Sequence, residues 1–164
     1  MNIIINGGTS GIGKEIVHLF AGESTNRILV TGRNRDSLLN LTTKAVNSNI
    51  IPYYLDLTTI REKIEETRLF IRENFSDVDI LINNAGMLIA NDFLSFKETD
   101  ARNIMETNFF GPATLIRIVE PLLTEGSHVV NISSMGGYQG SSKYVGLSYY
   151  SASKSDLACM TECL

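Results

Sequence analysis

IIINGGTSGIGKEI, residues 3–16, begins as a run of isoleucines and continues into a turn that carries Gly7, Gly11 and Gly13. The isoleucines predict a buried strand, and the residues from Ile12 onward predict a helix. Glycine lets the backbone approach a ligand closely, and the free N–H groups and dipole of a helix start attract anions. The stretch therefore predicts a turn that binds the pyrophosphate of a dinucleotide. A tight turn that binds nothing is the alternative, because a glycine pattern alone is weak evidence.

Short β-branched runs alternate with amphipathic stretches along the whole chain. The runs predict strands at 3–5, 28–31, 50–55, 80–82 and 129–132. The stretches predict helices at 12–21, 36–46, 60–74 and 99–123, the last broken near Gly111 and Pro112, and a further helix from about Ser148. Strands that are apolar on both faces are typical of a parallel sheet covered by helices on both sides. The sequence therefore predicts one α/β domain over residues 1–164 with a doubly wound fold.

The composition limits what the protein can bind. The 164 residues are 43% hydrophobic, and 14 Lys and Arg against 18 Asp and Glu leave a net charge of −4. The cations are scattered singly, which argues against a nucleic-acid partner. No apolar run approaches the roughly 20 residues of a membrane span and no basic leader is present, so we expect a cytoplasmic protein. Cys159 and Cys163 are expected to be reduced packing residues rather than metal ligands or a disulfide.

Four motifs, in one order, connect the chain to a known family. They are Gly7-x-x-x-Gly11-x-Gly13 after the first strand, Asn83-Asn84-Ala85-Gly86 after the fourth, a serine after the fifth, and Tyr150-x-x-x-Lys154 on the last helix. Together they resemble the short-chain dehydrogenase/reductase family, over the chain from Ile3 to its last residue. The resemblance implies a Rossmann fold with strand order 3-2-1-4-5 and NAD(P)-dependent interconversion of a carbonyl and an alcohol. Asn6 departs from the threonine that is usual in the family.

The residues after the second strand bear on the choice between the two nicotinamide cofactors. An acidic residue there would bond both ribose hydroxyls of NAD, but Gly32 occupies this place and Arg33 follows it. A guanidinium suits a 2′-phosphate in charge and in bidentate geometry. We therefore expect NADP, with NAD less favoured. The alternative is that Arg33 and Arg35 only solvate a loop before the helix.

Further cofactor contacts follow from the resemblance. Asp56 and Leu57 would flank the adenine and Asn84 the adjoining ribose, although Asp56 could equally be the charge at the start of the next helix. The glycine turn, the Asn-Asn-Ala-Gly segment and Ser134 directly follow predicted strands, so we expect them to meet at the edge where such sheets bind ligands. The expected cofactor set is Gly7, Thr9, Ser10, Gly11, Ile12, Gly13, Arg33, Asp56, Leu57, Asn84, Ala85, Gly86, Tyr150 and Lys154.

The stretch YYSASK, residues 149–154, provides a candidate proton donor. In a helix Lys154 lies over Tyr150, whereas Tyr149 faces elsewhere and is expected to pack. Lowering a tyrosine pKa from about 10 to about 7 requires roughly 4 kcal/mol, and an ammonium ~4 Å away supplies roughly that much at an effective dielectric of about 20. We therefore expect Tyr150 to be the general acid and Lys154 to make it acidic. An exposed helical pair is the alternative.

Two more catalytic residues follow from the resemblance. Ser134, which precedes Met-Gly-Gly as in the family, would hydrogen-bond the substrate oxygen, and Ser133 is the rival one residue earlier. Asn108 would hold a water that relays protons to the lysine, although an asparagine before Gly-Pro also suits a helix kink. The predicted catalytic set is Asn108, Ser134, Tyr150 and Lys154, with no metal.

The substrate is expected to be a small carbonyl or alcohol compound. A ketone, a 3-oxoacyl thioester or a hydroxy compound would all suit this chemistry, and residues 136–148, with Tyr138 and Tyr144, are expected to shape an apolar pocket. By resemblance the protein would be a homodimer or homotetramer. Family members continue beyond the last helix, so we expect their C-terminal strands to be lacking here. The alternative to an oxidoreductase is therefore a non-catalytic nucleotide-binding or interaction protein.

Overall fold

Five parallel strands form the centre of the fold. The computed structural model describes residues 1–45, 47 and 49–164. The strands are β1 (Asn2–Asn6), β2 (Arg27–Gly32), β3 (Ile50–Tyr54), β4 (Val78–Asn83) and β5 (Leu123–Asn131). They lie in the order β3-β2-β1-β4-β5, and every neighbouring pair is parallel. The predicted doubly wound sheet and its strand order are confirmed.

Helices connect the strands. They are α1 (Gly11–Ala21), α2 (Arg35–Lys44), α3 (Ile64–Asn74), α4 (Glu98–Met105), α5 (Gly111–Val119) and α6 (Ser148–Glu162). Short 3-10 turns span Leu57–Lys63, Phe93–Ser95, Glu120–Leu122 and Met135–Gly137, and a π turn spans Glu106–Phe110. Val46, the predicted last residue of the second helix, lies outside the described residues.

Alternation along the strands produces two apolar layers. Ile4, Leu29 and Leu81 lie on one face and are fully buried against α3 and α5. Ile3, Ile5 and their neighbours on β2 lie on the other face and are buried against α1 and α2. Successive side chains of a strand point to opposite faces, so one β-branched run supplies both layers. The helices packed on both faces hold the strands in place, so the distance between neighbouring strands stays constant at the carboxyl edge of the sheet.

The fifth strand is longer than predicted. It begins at Leu123 rather than 129, because the polar stretch from Thr124 to His128 joins the sheet at its edge. Pairing with β4 is irregular between Val78 and Ile80, and Gly126 has φ +91° there. An edge strand needs little apolar character on its exposed side, so hydrophobicity alone missed this part.

The long helical region is interrupted by a π turn rather than by a simple break at Gly111. The π turn covers the five residues before Gly111, and Pro112 lies in the first turn of α5, where its missing N–H costs nothing. A side chain on Gly111 would come within 2.6 Å of Leu57 Cβ. The turn brings Thr107 and Asn108 into the interior.

Cys159 lies on α6 and Cys163 directly follows that helix. Both are exposed, so the expectation that they pack is wrong. Among the described residues, no helix combines the length and the apolar character required to cross a bilayer.

Candidate active site

The glycine turn is clamped between its neighbouring strands. The backbone N–H groups of Gly7 and Gly8 both donate to Thr31 O, at 3.0 and 3.2 Å. Gly7 has φ +77°, and a Cβ on it would lie 2.6 Å from the backbone of Ala85. A Cβ on Gly13 would lie 2.2 Å from Gly7 O. Both positions therefore require glycine, for conformation at Gly7 and for close approach at both.

The start of α1 is prepared for an anion. Ser10 is the N-cap, but its side chain caps no N–H within the described chain, and the first turn contains no acidic residue. Gly11 has φ +52° and open space where a side chain would stand. The first N–H groups of the helix are thus available, and no carboxylate competes with a bound phosphate. These residues fit the pyrophosphate of a dinucleotide.

The Asn-Asn-Ala-Gly segment holds the turn from the other side. The N–H groups of Asn84 and Ala85 both donate to Asn6 O at 3.0 Å. Asn84 Nδ2 donates to Gly7 O at 2.9 Å. The predicted meeting of these two motifs is therefore observed, and parallel pairing of β1 with β4 produces it.

At the far end of the cleft, Gly32 lies against Thr9. A Cβ on Gly32 would come within 2.7 Å of Thr9 Cγ2 and 3.1 Å of Thr9 Oγ1. Arg33 is exposed, lines the cleft and forms no ion pair with any described residue. Arg35 differs, because its guanidinium lies 4.2 Å from the centre of the Tyr54 ring. Only Arg33 of the two arginines faces the cleft.

Asp56 has a clear structural task. Its Oδ1 accepts hydrogen bonds from the backbone N–H and the hydroxyl of Thr58, at 2.9 and 2.8 Å, and so caps the following 3-10 turn. Asp56 and Leu57 also line the cleft. The two interpretations of Asp56, a helix cap and a cofactor contact, are therefore compatible.

The last helix directs Tyr150 and Lys154 into the same cleft. Lys154 is buried, and its Nζ donates to Ile132 O at 2.7 Å. Burial removes water from the ammonium and thereby lowers the pKa of Lys154 from its ordinary value. Tyr149 instead stacks on the ring of Phe93, with centroids 5.8 Å apart, and packs at a tilt against the ring of Phe96, with centroids 4.8 Å apart. The helix thus separates the two tyrosines into a cleft residue and a packing residue.

Asn108 lies beside this pair, wholly buried in the π turn. Its Oδ1 accepts from Met87 N at 2.7 Å, and its Nδ2 donates to Met87 O and to Ser153 Oγ, both at 2.9 Å. Gly86 faces both Asn108 Oδ1 and Lys154 Nζ, since a Cβ on it would lie 3.7 and 3.5 Å from them. Asn108 therefore ties the loop after β4 to α6, next to the lysine.

The two candidate serines have different partners. Ser133 Oγ donates to Lys154 O at 2.7 Å, which commits that hydroxyl to holding α6. Ser134 Oγ accepts from Gly136 N at 3.2 Å and caps the 3-10 turn that follows. A Cβ on Gly136 would lie 3.6 Å from Ser134 Oγ and 3.9 Å from Tyr150 Cε1, so this hydroxyl and the tyrosine ring flank one glycine.

These groups enclose a cleft of about 520 Å³ at the carboxyl ends of the strands. Thirteen of the predicted residues line it, namely Gly7, Thr9, Ser10, Gly11, Ile12, Arg33, Asp56, Leu57, Asn84, Ala85, Gly86, Tyr150 and Lys154. Gly13, Asn108 and Ser134 adjoin lining residues but do not themselves line the cleft. The arrangement can hold an extended dinucleotide and present a phenol and an ammonium at one end.

Several lining residues were missed from the sequence. They are Asn34, Leu55, Met87, Leu88, Thr107 and Ile132, while Ser133, the rival of Ser134, also lines the cleft. Most directly follow a strand or a motif that was recognised, so extending each motif by a few residues would have found them. Thr107 could not be found in that way, because the π turn brings it in. Its buried hydroxyl has no partner among the described residues, and it lines the cleft.

A doubly wound sheet with a glycine turn at a helix start defines a nucleotide-binding protein of the Rossmann type. A profile of the short chain dehydrogenase family matches residues 1–164, and the chain belongs to that family, whose members use NAD(P). The predicted family is confirmed.

Relatives and solved structures agree with this assignment. The chain is 33% identical to dehydrogenase/reductase SDR family member 7B of Xenopus tropicalis, over 99% of this chain and 54% of the relative. It is 25% identical to an uncharacterized oxidoreductase of Staphylococcus aureus (strain N315), over 97% of this chain and 68% of the relative. The chain thus spans about half the length of the Xenopus relative.

Two solved structures are similar over nearly the whole chain. A short-chain dehydrogenase from Streptomyces avermitilis has a TM-score of 0.86 and 30% identity, with 99% of this chain and 58% of that chain covered. Serine dehydrogenase from Escherichia coli has a TM-score of 0.87 and 27% identity, with 99% of this chain and 74% of that chain covered. The sheet order and the helix positions are therefore those of the family.

Proposed function

We propose that residues 1–164 act as one NADP-binding domain of an oxidoreductase that interconverts a carbonyl and an alcohol. The observation that carries the proposal is that Tyr150 and Lys154 line the same cleft as the glycine turn. The cofactor supplies the hydride when it is bound. The chain must then deliver a proton to the oxygen of the carbonyl, and Tyr150 is placed to do so.

Lys154 assists by its charge and its position. Its Nζ is anchored on Ile132 O and is buried, so water screens its charge only weakly. In the proposed reaction this cation stabilises the negative charge that the Tyr150 oxygen carries once the tyrosine has passed its proton to the developing alkoxide. Asn108 and Ser133 hold the lysine and its helix, because they bond Ser153 Oγ and Lys154 O.

Ser134 is the proposed hydrogen-bond donor to the substrate oxygen. Its hydroxyl and the Tyr150 ring flank Gly136, and within the described residues this hydroxyl accepts a hydrogen bond from Gly136 N and donates none. A serine and a tyrosine that donate to one oxygen stabilise negative charge there. Leu88, which is exposed and lines the cleft, favours a substrate with an apolar group, for which a 3-oxoacyl thioester is a candidate.

NADP is favoured over NAD by the contact between Thr9 and Gly32. A Cβ at position 32 would lie 2.7 Å from Thr9 Cγ2, so an acidic side chain that bonds both ribose hydroxyls of NAD would first have to displace the Thr9 side chain. The neighbouring Arg33 faces the cleft without an ion-pair partner among the described residues, which suits a 2′-phosphate.

Replacement of Tyr150 tests the reaction. Tyr150→Phe is expected to bind NADPH as the parent does, by nucleotide fluorescence, and to lose at least 100-fold in carbonyl-dependent NADPH oxidation, in line with a lost general acid. Tyr149→Phe is the control, because its ring can still pack against Phe93 and Phe96. Equal turnover by Tyr150→Phe and the parent would refute the acid role. Nucleotide binding without turnover in the parent would support the non-catalytic alternative.

Replacement of Arg33 tests the cofactor. Arg33→Ala is expected to weaken NADPH binding about tenfold, equivalent to roughly 1.4 kcal/mol, and to leave NADH binding unchanged. Arg35→Ala is the matched control, since Arg35 packs on Tyr54 instead of facing the cleft. Equal losses for the two nucleotides would contradict recognition of the 2′-phosphate.

A homodimer or homotetramer in the cytoplasm completes the proposal. Light scattering at several protein concentrations measures the assembly, and fractionation of expressing cells measures the location. A monomer at all concentrations would contradict the proposed assembly. Recovery of the protein with membranes would contradict the proposed location.

A further inference from the structure

A row of polar residues crosses the carboxyl edge of the sheet. Thr31 on β2 pairs with Asn6 on β1, Asn6 pairs with Asn83 on β4, and Asn83 pairs with Asn131 on β5. Register partners in a parallel sheet point to the same face. Three asparagines and a threonine therefore stand side by side over four strands.

Hydrogen bonds between side chains already join most of this row, and in each bond the donor lies on the side nearer β2. Thr31 Oγ1 donates to Asn6 Oδ1 at 2.9 Å, and Asn83 Nδ2 donates to Asn131 Oδ1 at 2.9 Å. Asn131 Nδ2 then donates to Thr161 Oγ1 at 2.9 Å, and Thr161 Oγ1 donates to Leu157 O on α6 at 2.6 Å. Every donor points from β2 toward the last helix.

One link is left open, between Asn6 and Asn83. Asn6 Nδ2 is a buried donor and Asn83 Oδ1 is a buried acceptor, and neither has a partner among the described residues. Both residues are only 1% exposed. Buried amides left unpaired are costly, and the two open groups are complementary in kind. The same strand spacing, roughly 4.8 Å, is bridged directly by the side chains of Asn83 and Asn131.

We propose that Asn6 Nδ2 donates to Asn83 Oδ1 and so closes a continuous asparagine ladder, Thr31–Asn6–Asn83–Asn131–Thr161, that couples the glycine turn to the helix carrying Tyr150 and Lys154. Asn6 is then a positioning residue.

The ladder connects the glycine turn to α6 through side chains of the sheet. Asn6 O receives the N–H groups of Asn84 and Ala85, so its position determines how the glycine turn sits on the next loop. At the other end Asn131 precedes Ile132, whose carbonyl holds Lys154 Nζ, and bonds Thr161 two turns further along α6. Displacement of the Asn6 side chain should therefore shift or loosen α6.

A double-mutant cycle in urea tests the missing bond without any assay of activity. Asn6→Leu and Asn83→Leu are each expected to lower the folding equilibrium constant at least tenfold, because each leaves a buried partner unpaired. In the double variant neither partner remains. Its folding equilibrium constant is therefore expected to be about tenfold higher than the value obtained by combining the two single losses.

A second cycle provides the control. Thr67 is also fully buried and bonded by its hydroxyl, to Tyr53, but lies outside the ladder. Thr67→Val combined with Asn6→Leu is expected to be additive within about twofold. Additive losses for Asn6 and Asn83 as well would overturn the ladder.

Hydrogen exchange tests the coupling to α6. In Asn6→Leu the amides around Leu157 and Thr161 are expected to exchange at least fivefold faster than in the parent, and those of α3 to be unchanged. Faster exchange confined to β1 and its immediate neighbours would show a purely local role and would overturn the positioning claim.

The catalytic consequence rests on the proposed oxidoreductase function. Asn6→Leu is expected to lower kcat about tenfold, because the side chain that reaches toward α6 is lost. The Kd for NADPH is expected to change less than about threefold, because the backbone carbonyl of Asn6 that holds the loop after β4 remains. An inactive parent would count against the proposed function, while the cycles and the exchange data would still decide the ladder. A loss confined to nucleotide affinity would overturn the positioning role.

Discussion

Replacement of Asn108 by alanine gives the sharpest test of how the π turn supports the site. The side chain is wholly buried and makes three hydrogen bonds of 2.7, 2.9 and 2.9 Å to Met87 and Ser153. Each such bond contributes about 1 kcal/mol net, so the loss should be about 3 kcal/mol. This is a large part of the roughly 5–15 kcal/mol by which a domain is stable.

The assay is urea unfolding followed by circular dichroism, with thermal unfolding beside it. A loss of about 3 kcal/mol should lower Tm by roughly 6–12 °C in a chain of this size. Asn103→Ala is the matched control, because Asn103 is exposed on α4 and should change stability by less than about 0.5 kcal/mol. A loss below about 1 kcal/mol for Asn108→Ala would refute the reasoning that these bonds hold the loop after β4 against α6.

Two more outcomes can be measured on the same material. Burial lowers the pKa of Lys154. Between that lowered pKa and about 10.5, the lysine is protonated in the unfolded chain more often than in the folded chain. The free energy of unfolding should therefore rise with pH across that window. Lys154→Met should be more stable than the parent at neutral pH, with the difference shrinking toward pH 10.5, and a constant difference in unfolding free energy would contradict this. Gly13→Ala should cost about 1–3 kcal/mol and weaken NADPH binding at least tenfold, because its Cβ would overlap Gly7 O. Gly22→Ala, with a helical φ of −62° and nearest contacts of 3.4 Å, should be neutral, and equal effects of the two changes would contradict the argument.

Much of the fold could be predicted because its signals are local. Isoleucine runs such as 3–5 are buried on both faces, which only a covered parallel strand requires, and the helices between them follow from their own periodicity. The start of β5 escaped prediction because its pairing partner, not its composition, makes it a strand. The π turn escaped because it depends on packing of Gly111 against Leu57.

Contacts of the candidate site could be predicted where both partners lie within one short motif. The offset of four residues already assigns Lys154 to Tyr150, and helix geometry makes that assignment independent of the rest of the chain. The roles of Ser133 and Ser134 could not be separated in this way. The structure commits the hydroxyl of Ser133 to Lys154 O, a contact across 21 residues that no local pattern reveals.

From its residues alone the chain determined its strands, its glycine turn and its family, because backbone conformation and amphipathic period are properties of short segments. Tertiary structure decided which residues lie next to one another: Gly32 against Thr9, Asn108 near Lys154, and Asn6 beside Asn83. These contacts join residues far apart in sequence, and only the packed sheet, with its constant strand spacing, brings their side chains within reach of one another.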